Sequence, residues 1–415
     1  LQIIDLFSGA GGLTEGFRKE FEVIKHVEKE RAACETLKLR DSFYYLEKHN
    51  MINQYYDFLK GEISEKQLYS FVPKKIFKRT INAEINDKNI QSIFNEIDYD
   101  LDDTKNITGI IGGPPCQAYS TIGRSRNASK KSEDERIYLY KYYIDFLKKY
   151  KPIFFVFENV KGLLSFKDVD NELLFPKMQQ EFEQVGYNLE YQVINAADFG
   201  VPQVRERIII FGAQRAYPGL PRTFFDEFEA MKEKPLTVKE AFTGLPKLHS
   251  GQTNNKYVDE ISYFERKYYR KSKKLCLTEN VSRPNNANDL RIYKIVAKAK
   301  LKGKNLRYDE LDKELITHKN TKEFLDRYKA LPWNAPAHTI VAHIAKDGHH
   351  YIHPDPIQNR SITVREAARL QGFPDDYYFE NSRTAAYTQI GNAVPPILSK
   401  KIAKAILIAL EQFSL

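Results

Sequence analysis

The sequence predicts an α/β fold on a mainly parallel sheet, with a second, smaller domain. Three observations predict it. From residue 1 to about 213, short apolar runs alternate with longer amphipathic stretches, as strands and covering helices do in such a sheet. The first run ends in "DLFSGAGG", a glycine turn that opens a helix near Leu13. From about 214 to 335 the rhythm stops, and basic, Tyr- and Asn-bearing stretches such as "FERKYYRKSKK" take over.

The strand candidates, in order, are "LQIIDLF", "EVIKHVE", "ITGIIGG", "IFFVFEN", "NLEYQVINA" and "RIIIFGA". Between residues 41 and 75 the stretch "FYYLEKHNMINQYYDFLK" has apolar residues at three- and four-residue spacings and lies off this rhythm, which predicts an inserted helical pair. The last helix, "PPILSKKIAKAILIALEQF", carries Ile402, Ala405, Ile406, Ala409 and Leu410 on one face, so it should dock back on the first domain. The organisation expected is a catalytic domain over 1–213, a second domain over 214–379 and a returning segment over 380–415.

With 415 residues, the chain suffices for two domains, or for one domain with a large insertion. Lys and Arg number 64 against 55 Asp and Glu, a formal charge of +9 that suits a polyanionic partner. The three cysteines, Cys34, Cys116 and Cys276, are far apart and odd in number, which argues for a reducing compartment and against a disulfide framework. No zinc spacing joins them. Runs such as "IFFVF" are too short to span a bilayer, and no signal-peptide pattern opens the chain, so a cytoplasmic protein without membrane partners is expected, most simply a monomer.

Two places carry chemistry. In "DLFSGAGG" the glycines allow close backbone approach to a ligand, and Glu28 ends the next strand, nineteen positions after Gly9, where an acid would meet ribose hydroxyls. That suggests an adenosine-containing cofactor, with a plain tight turn as the alternative. The dinucleotide fingerprint wants a glycine where Thr14 stands. The second place is "GGPPCQAYS", where Pro114 and Pro115 stiffen the loop carrying Cys116. Burial is the ordinary fate of a lone cysteine, yet a stiffened loop at a strand end favours a positioned thiol.

The motifs "DLFSGAGG", "GGPPCQAYS", "FENVKGLL", "PQVRERIII", "TVREAARLQGFPDDY" and "QIGNAVPP" occur in the order found in the DNA (cytosine-5) methyltransferases, and the chain resembles that family over nearly its whole length. Residues 214–335 and the 41–75 insert lie outside the resemblance. It implies a Rossmann-like S-adenosylmethionine-dependent sheet with a target-recognition domain, and Cys116 as nucleophile. Carbon 5 of cytosine is a poor nucleophile, and covalent addition at carbon 6 activates it. Glu158, ending the apolar strand "IFFVFEN", matches the family's acid at ring nitrogen 3; its dry setting suggests a neutral carboxyl, and a helix cap is the plainer reading. Asn159 is expected to hold the loop through backbone hydrogen bonds.

The resemblance further implies that Arg205 contacts the target base, Arg207 orients the site, and Gln117 and Ser120 touch the extruded nucleotide or its phosphate. Thr339 aligns with a threonine near that phosphate. Asp5, Phe7, Gly9, Gly11, Gly12, Glu28, Glu84, Ile85, Pro115, Leu139 and Asn392 fall at cofactor positions. Glu84 replaces a more usual Asp facing the adenine amino group, and Lys29 departs from the residue types often following Glu28. Target choice is assigned to 214–379, where lysines and arginines meet phosphates and Asn, Arg and Gln read base edges. The histidines 343, 349, 350 and 353 invite a metal, but no ordered ligand spacing supports one. The expected activity is site-specific methylation of double-stranded DNA, with a restriction endonuclease as possible genetic partner. The alternatives are an inactive DNA-binding homologue and the same chemistry on transfer RNA.

Overall fold

The structure is a computed structural model and describes residues 1–101, 106–115, 119, 134–258, 260–317 and 323–415. Its centre is a seven-stranded sheet: β1 (Gln2–Leu6), β2 (Glu22–Glu28), β3 (Thr80–Asn82), β4 (Gly109–Gly112), β5 (Phe154–Val160), β6 (Tyr187–Asn195) and β7 (Glu206–Gln214), in the order β3-β2-β1-β4-β5-β7-β6. Strands β1 to β5 pair in parallel, while β7 runs antiparallel between β5 and β6. The sheet is therefore mixed, with one reversed strand near its edge.

The apolar run of β5 is continuous because both faces of the sheet are covered. Phe155 and Phe157 face Ile4, Leu6, Ile110, Ile208 and Ile210 beneath the helices Ile90–Asp100, Leu139–Tyr150 and Leu174–Gln184. Phe154 and Val156 alternate to the other face, with Ile3, Val23, Ile111, Ile209 and Phe211. That face is covered by the helices Gly12–Phe17, Leu220–Glu229 and Pro396–Gln412. Ile402, Ala405, Ile406, Ala409 and Leu410 of the last helix all lie in this core.

Phe224 and Phe228 stack on Phe211 and Phe199, packing the helix Leu220–Glu229 on the sheet. Val364, Leu370, Phe373 and Phe379 share one core with Ala386, Tyr387, Ile390 and Ala393. The insert is larger than a pair. Helix Arg31–Lys48 runs through residue 41, the chain reverses at Asn50 (φ 59), and helices Ile52–Lys60, Glu65–Ser70 and Lys74–Phe77 follow around Leu39, Phe43, Leu46, Tyr55, Leu68 and Ile76. The Tyr55 hydroxyl donates to the Asp376 carbonyl at 2.8 Å, anchoring the insert to the C-terminal part. Among the described residues no helix is long and apolar enough to cross a membrane.

Strand order reverses at β1, which lies between β2 and β4, and such a switch point opens a crevice at the strand ends. Leu6 ends β1 opposite Gly112 of β4, so the glycine turn and the proline-bearing loop leave the sheet side by side. Two glycines permit this convergence. A Cβ on Gly112 (φ +142) would lie 2.0 Å from the Leu6 carbonyl oxygen, and one on Gly113 would lie 2.1 Å from that of Glu158.

Candidate active site

On the cofactor side, the turn after β1 passes through Phe7 (φ 55), Gly9 (φ 53) and Gly11 (φ 79). Its left-handed conformations aim the Gly9 N–H at Glu28, whose Oε2 accepts it at 2.7 Å while Oε1 accepts the Glu30 N–H at 2.8 Å. Burial pushes the Glu28 carboxyl above its ordinary range, against the opposing pull of these N–H bonds. Each oxygen keeps a further lone pair for a hydroxyl donor. A Cβ on Gly9 would meet nothing within 4 Å, so this glycine fronts open space.

Asp5, Gly11 and Gly12 do not. The Asp5 carboxylate is 1% exposed, accepts a hydrogen bond from the Thr14 hydroxyl and lies 3.7 Å from His26 Nδ1. It braces the first turn of the following helix from behind. A Cβ on Gly11 would strike Leu37 Cδ2 at 2.7 Å, and one on Gly12 the Val394 carbonyl oxygen at 2.3 Å. These glycines admit the neighbouring helix and the returning C-terminal segment on the side where a Cβ would stand.

Beyond Glu28, an open polar depression of about 540 Å³ is bounded by Lys29, Glu30, Asn82, Ala83, Glu84, Asn89 and Ser92. Glu84 lies at its rim, its Oε1 3.3 Å from Lys29 Nζ. Lys29, a departure from the family pattern, thus meets Glu84, another departure. Asn82, which sequence reasoning missed, donates from Nδ2 to the Glu28 and Lys29 carbonyls and ties β3 to β2. Its only signal was a polar residue at a strand end. Ile85 is buried, Phe7, Pro115 and Leu139 are half-buried, and Asn392 is exposed at the end of helix Arg383–Asn392. A buried carboxylate with lone pairs left for hydroxyl donors and an acid at the rim of a polar depression fit an adenosine-bearing cofactor such as S-adenosylmethionine.

On the catalytic side, Cys116, Gln117 and Ser120 lie outside the described residues. The chain on either side is held firmly. Asn159, 1% exposed, donates from Nδ2 to the Pro114 carbonyl at 3.1 Å and accepts the Val160 N–H at 2.9 Å. Tyr119 is fully buried, and its hydroxyl donates to the Ile137 carbonyl at 2.7 Å.

Glu158 Oε1 stands 2.9 Å from Arg207 Nε, with side chains 16% and 13% exposed. Glu158 pairs with Ile209 across β5 and β7, so Arg207, two residues away, projects from the same face. The acid is thus partnered by Arg207 across the strand pair. Arg207, expected to orient the site, stands beside the acid, while Arg205, expected at the target base, is held by backbone carbonyls. Arg205 is 2% exposed and donates to the Ile340 carbonyl at 2.8 Å and the Gly391 carbonyl at 3.2 Å, away from Glu158. The half-buried Thr339 donates its hydroxyl to the Val204 carbonyl at 2.7 Å.

The four histidines go to separate partners. His349 bonds the Tyr293 hydroxyl at 2.7 Å, His353 stacks on Phe242, and the rings of His343 and His350 are 6.3 Å apart. Among the described residues no cluster of His, Cys, Asp and Glu could hold a metal ion.

Comparison with known proteins agrees with this geometry. The family model described as C-5 cytosine-specific DNA methylase matches residues 62–407. The type II methyltransferase M.Bpa9945I of Bacillus paralicheniformis is 39% identical, over 97% of this chain and 98% of its own. M.AgeI of Thalassovita gelatinovora, also a type II methyltransferase, is 29% identical over 99% of this chain and 100% of its own. The crystal structure of a candidate DNA modification methyltransferase encoded within an E. coli prophage shares the fold, with TM-score 0.60, 23% identity and 99% of each chain covered. Since the family model takes in most of the chain and the Bacillus relative follows it almost end to end, the chain belongs to the C-5 cytosine-specific DNA methylases and is a DNA (cytosine-5) methyltransferase.

Proposed function

We propose that this enzyme methylates carbon 5 of a cytosine swung out of duplex DNA, with S-adenosylmethionine as methyl source and Cys116 as covalent nucleophile. The observation that carries the reading is the Glu158–Arg207 pair, set beside the Pro114 anchor only two residues before Cys116. Glu28 and Glu84 would hold the ribose and adenine of the cofactor, with Phe7, Ile85, Pro115 and Leu139 as apolar walls and Asn392 at the open edge. That group supplies an electrophilic methyl on a sulfonium.

The chain's own residues prepare the pyrimidine. The Cys116 thiolate forms a bond to carbon 6, and the ring electron pair moves toward carbon 5 while Glu158 holds a proton at nitrogen 3. Arg207 engages Oε1 of Glu158 and leaves Oε2 for the base, so the acid meets the ring in a fixed orientation. After methylation carbon 5 loses its proton, the sulfur–carbon bond breaks and Cys116 leaves as thiolate. Flipping the base costs a few kcal/mol of stacking and pairing, which contacts in the cleft must offset. The type II names of the relatives support a role as the protecting half of a restriction–modification pair.

Bisulfite sequencing of DNA from a host expressing the wild type or Cys116→Ala tests this. Methylation of one sequence context by the wild type, absent with the variant, is the expected result. A methylating variant removes Cys116 as nucleophile, and a silent wild type leaves only a DNA-binding or RNA-directed protein. Duplex carrying 5-fluorocytosine in that context should form a stable covalent adduct with the wild type, because fluorine cannot leave as a proton does.

A further inference from the structure

We infer that Gln203 and Arg205 are positioning residues forming a buried clasp that makes DNA engagement and cofactor binding interdependent. This rests on the reading above, with DNA on the Thr339 side and the cofactor at the glycine turn. Both side chains stand on the stretch leading into β7, and both are almost fully buried. Gln203 Oε1 accepts the Ile340 N–H at 2.8 Å, and its Nε2 donates to Gln371 Oε1 at 2.7 Å and to the Leu370 carbonyl at 3.1 Å. Gln371 passes the connection on, donating from Nε2 to the Ala393 carbonyl. Arg205 spans the same gap directly, from the Ile340 carbonyl to the Gly391 carbonyl.

The clasp therefore joins residue 340, next to Thr339, with residues 391 and 393, which flank Asn392. There is little slack between the two. A Cβ on Gly391 would lie 2.3 Å from the Ala342 nitrogen, so the helix end and the 341–342 segment meet backbone to backbone. The C-terminal side continues to the glycine turn, because the Val394 carbonyl occupies the space where a Cβ on Gly12 would go. A guanidinium this dry loses heavily if one of its carbonyls withdraws, so the contacts form together or fail together. When duplex settles Thr339 and Ile340, the clasp sets Gly391 to Ala393, and with them Asn392 at the cofactor edge. Linkage makes the effect reciprocal.

The test is calorimetric titration of the full-length protein with S-adenosylhomocysteine, with and without the duplex identified by bisulfite sequencing. Wild type should bind at least about 5-fold tighter with duplex, and duplex should bind tighter by the same factor with S-adenosylhomocysteine. Arg205→Lys, which keeps the charge but loses the fork, and Gln203→Leu should each bring the factor below about 2. A purely structural role would lower melting temperature or both affinities while leaving the factor intact, and that result overturns the clasp. A wild-type factor of one also overturns it and needs no variant; if one variant does not fold, the other decides. Methyl transfer without coupling removes the clasp alone, whereas failure to bind S-adenosylhomocysteine removes the functional reading and the clasp with it.

Discussion

Arg207 Nε lies 2.9 Å from Glu158 Oε1 across the antiparallel pair of β5 and β7, both side chains only partly open to solvent. On the proposed mechanism the guanidinium would fix one oxygen of the acid and aim the other, as an orienting group does for a general acid or base. Arg207→Lys keeps the charge and loses the directed Nε–H, so kcat should fall about 10²–10³-fold with the affinity for S-adenosylhomocysteine unchanged. Single-turnover kinetics and titration read the two separately. Equal losses in both would mean that Arg207 supports the whole cleft rather than the acid.

The glycine turn yields a contrast between positions three residues apart. Gly12→Ala puts a methyl 2.3 Å from where the Val394 carbonyl oxygen stands, an overpacking that should cost about 1–3 kcal/mol or more in urea unfolding. Gly9→Ala meets no atom, and its φ of +53 costs about 1–2 kcal/mol. Its methyl, however, enters the space beside Glu28, and S-adenosylhomocysteine affinity should fall at least about tenfold, roughly 1.4 kcal/mol. Unchanged affinity in Gly9→Ala would place the cofactor elsewhere.

Much of this fold was legible because β5 is covered on both faces and must read as a continuous apolar run, and because β1 ends in a turn that few residues but glycine can make. The reversed direction of β7 was not legible, since side-chain alternation is the same whichever way a strand runs. Nor could the sequence say which glycines have open space beside them: Gly12 is hemmed in by Ala393 and Val394, far along the chain, while Gly9 meets nothing within 4 Å. The directions of the two arginines were legible to different degrees for a related reason. Arg205 precedes β7, where no sheet period fixes its direction, while Arg207 lies within the strand and its face follows from the register. Cys116, on which the expected chemistry centres, lies outside the described residues.

Buried His353 contributes to the loss of stability in acid. Burial, with Arg360 nearby, pulls the His353 imidazole down to about 3, and its Nδ1 accepts the Asp355 N–H at 3.1 Å, which only the neutral ring can do. The unfolded chain takes up that proton near pH 6.5 and the folded one only near 3, so stability falls as pH drops through this window. At pH 5 the loss is roughly 2 kcal/mol for this residue. His353→Gln should be less stable at pH 7 yet show a loss between pH 7 and 5 smaller by about that amount, measured by urea unfolding. Parallel pH profiles for variant and wild type would remove His353 from the account. His26 acts with the opposite sign: Asp41 and Asp5 hold it above its ordinary range despite burial, so its contribution is present at low pH and fades as pH rises through its folded value.

The net charge of +9 needs a place to act on DNA, and the helix Ala287–Leu301 offers one. Lys294 and Lys298 sit one turn apart on its exposed side, lining a groove of about 560 Å³ with His249, Ser250, Leu290 and the segment Pro356–Asn359. Among the described residues two lysines and no carboxylate line that groove, with Asp355 bonded behind Ile357 and Gln358, so its open side favours phosphate. If both lysines meet phosphates, converting them to glutamate removes two counterion-releasing contacts, and the slope of log K against log salt should become shallower by about 1.8. Duplex affinity at low salt should fall steeply, while kcat at saturating duplex should stay within about twofold, because neither lysine belongs to the Glu158 side of the cleft. An unchanged slope would move the DNA track to another face of the 214–379 region. A changed kcat with an unchanged slope would show that the groove shapes the catalytic cleft instead of holding the duplex.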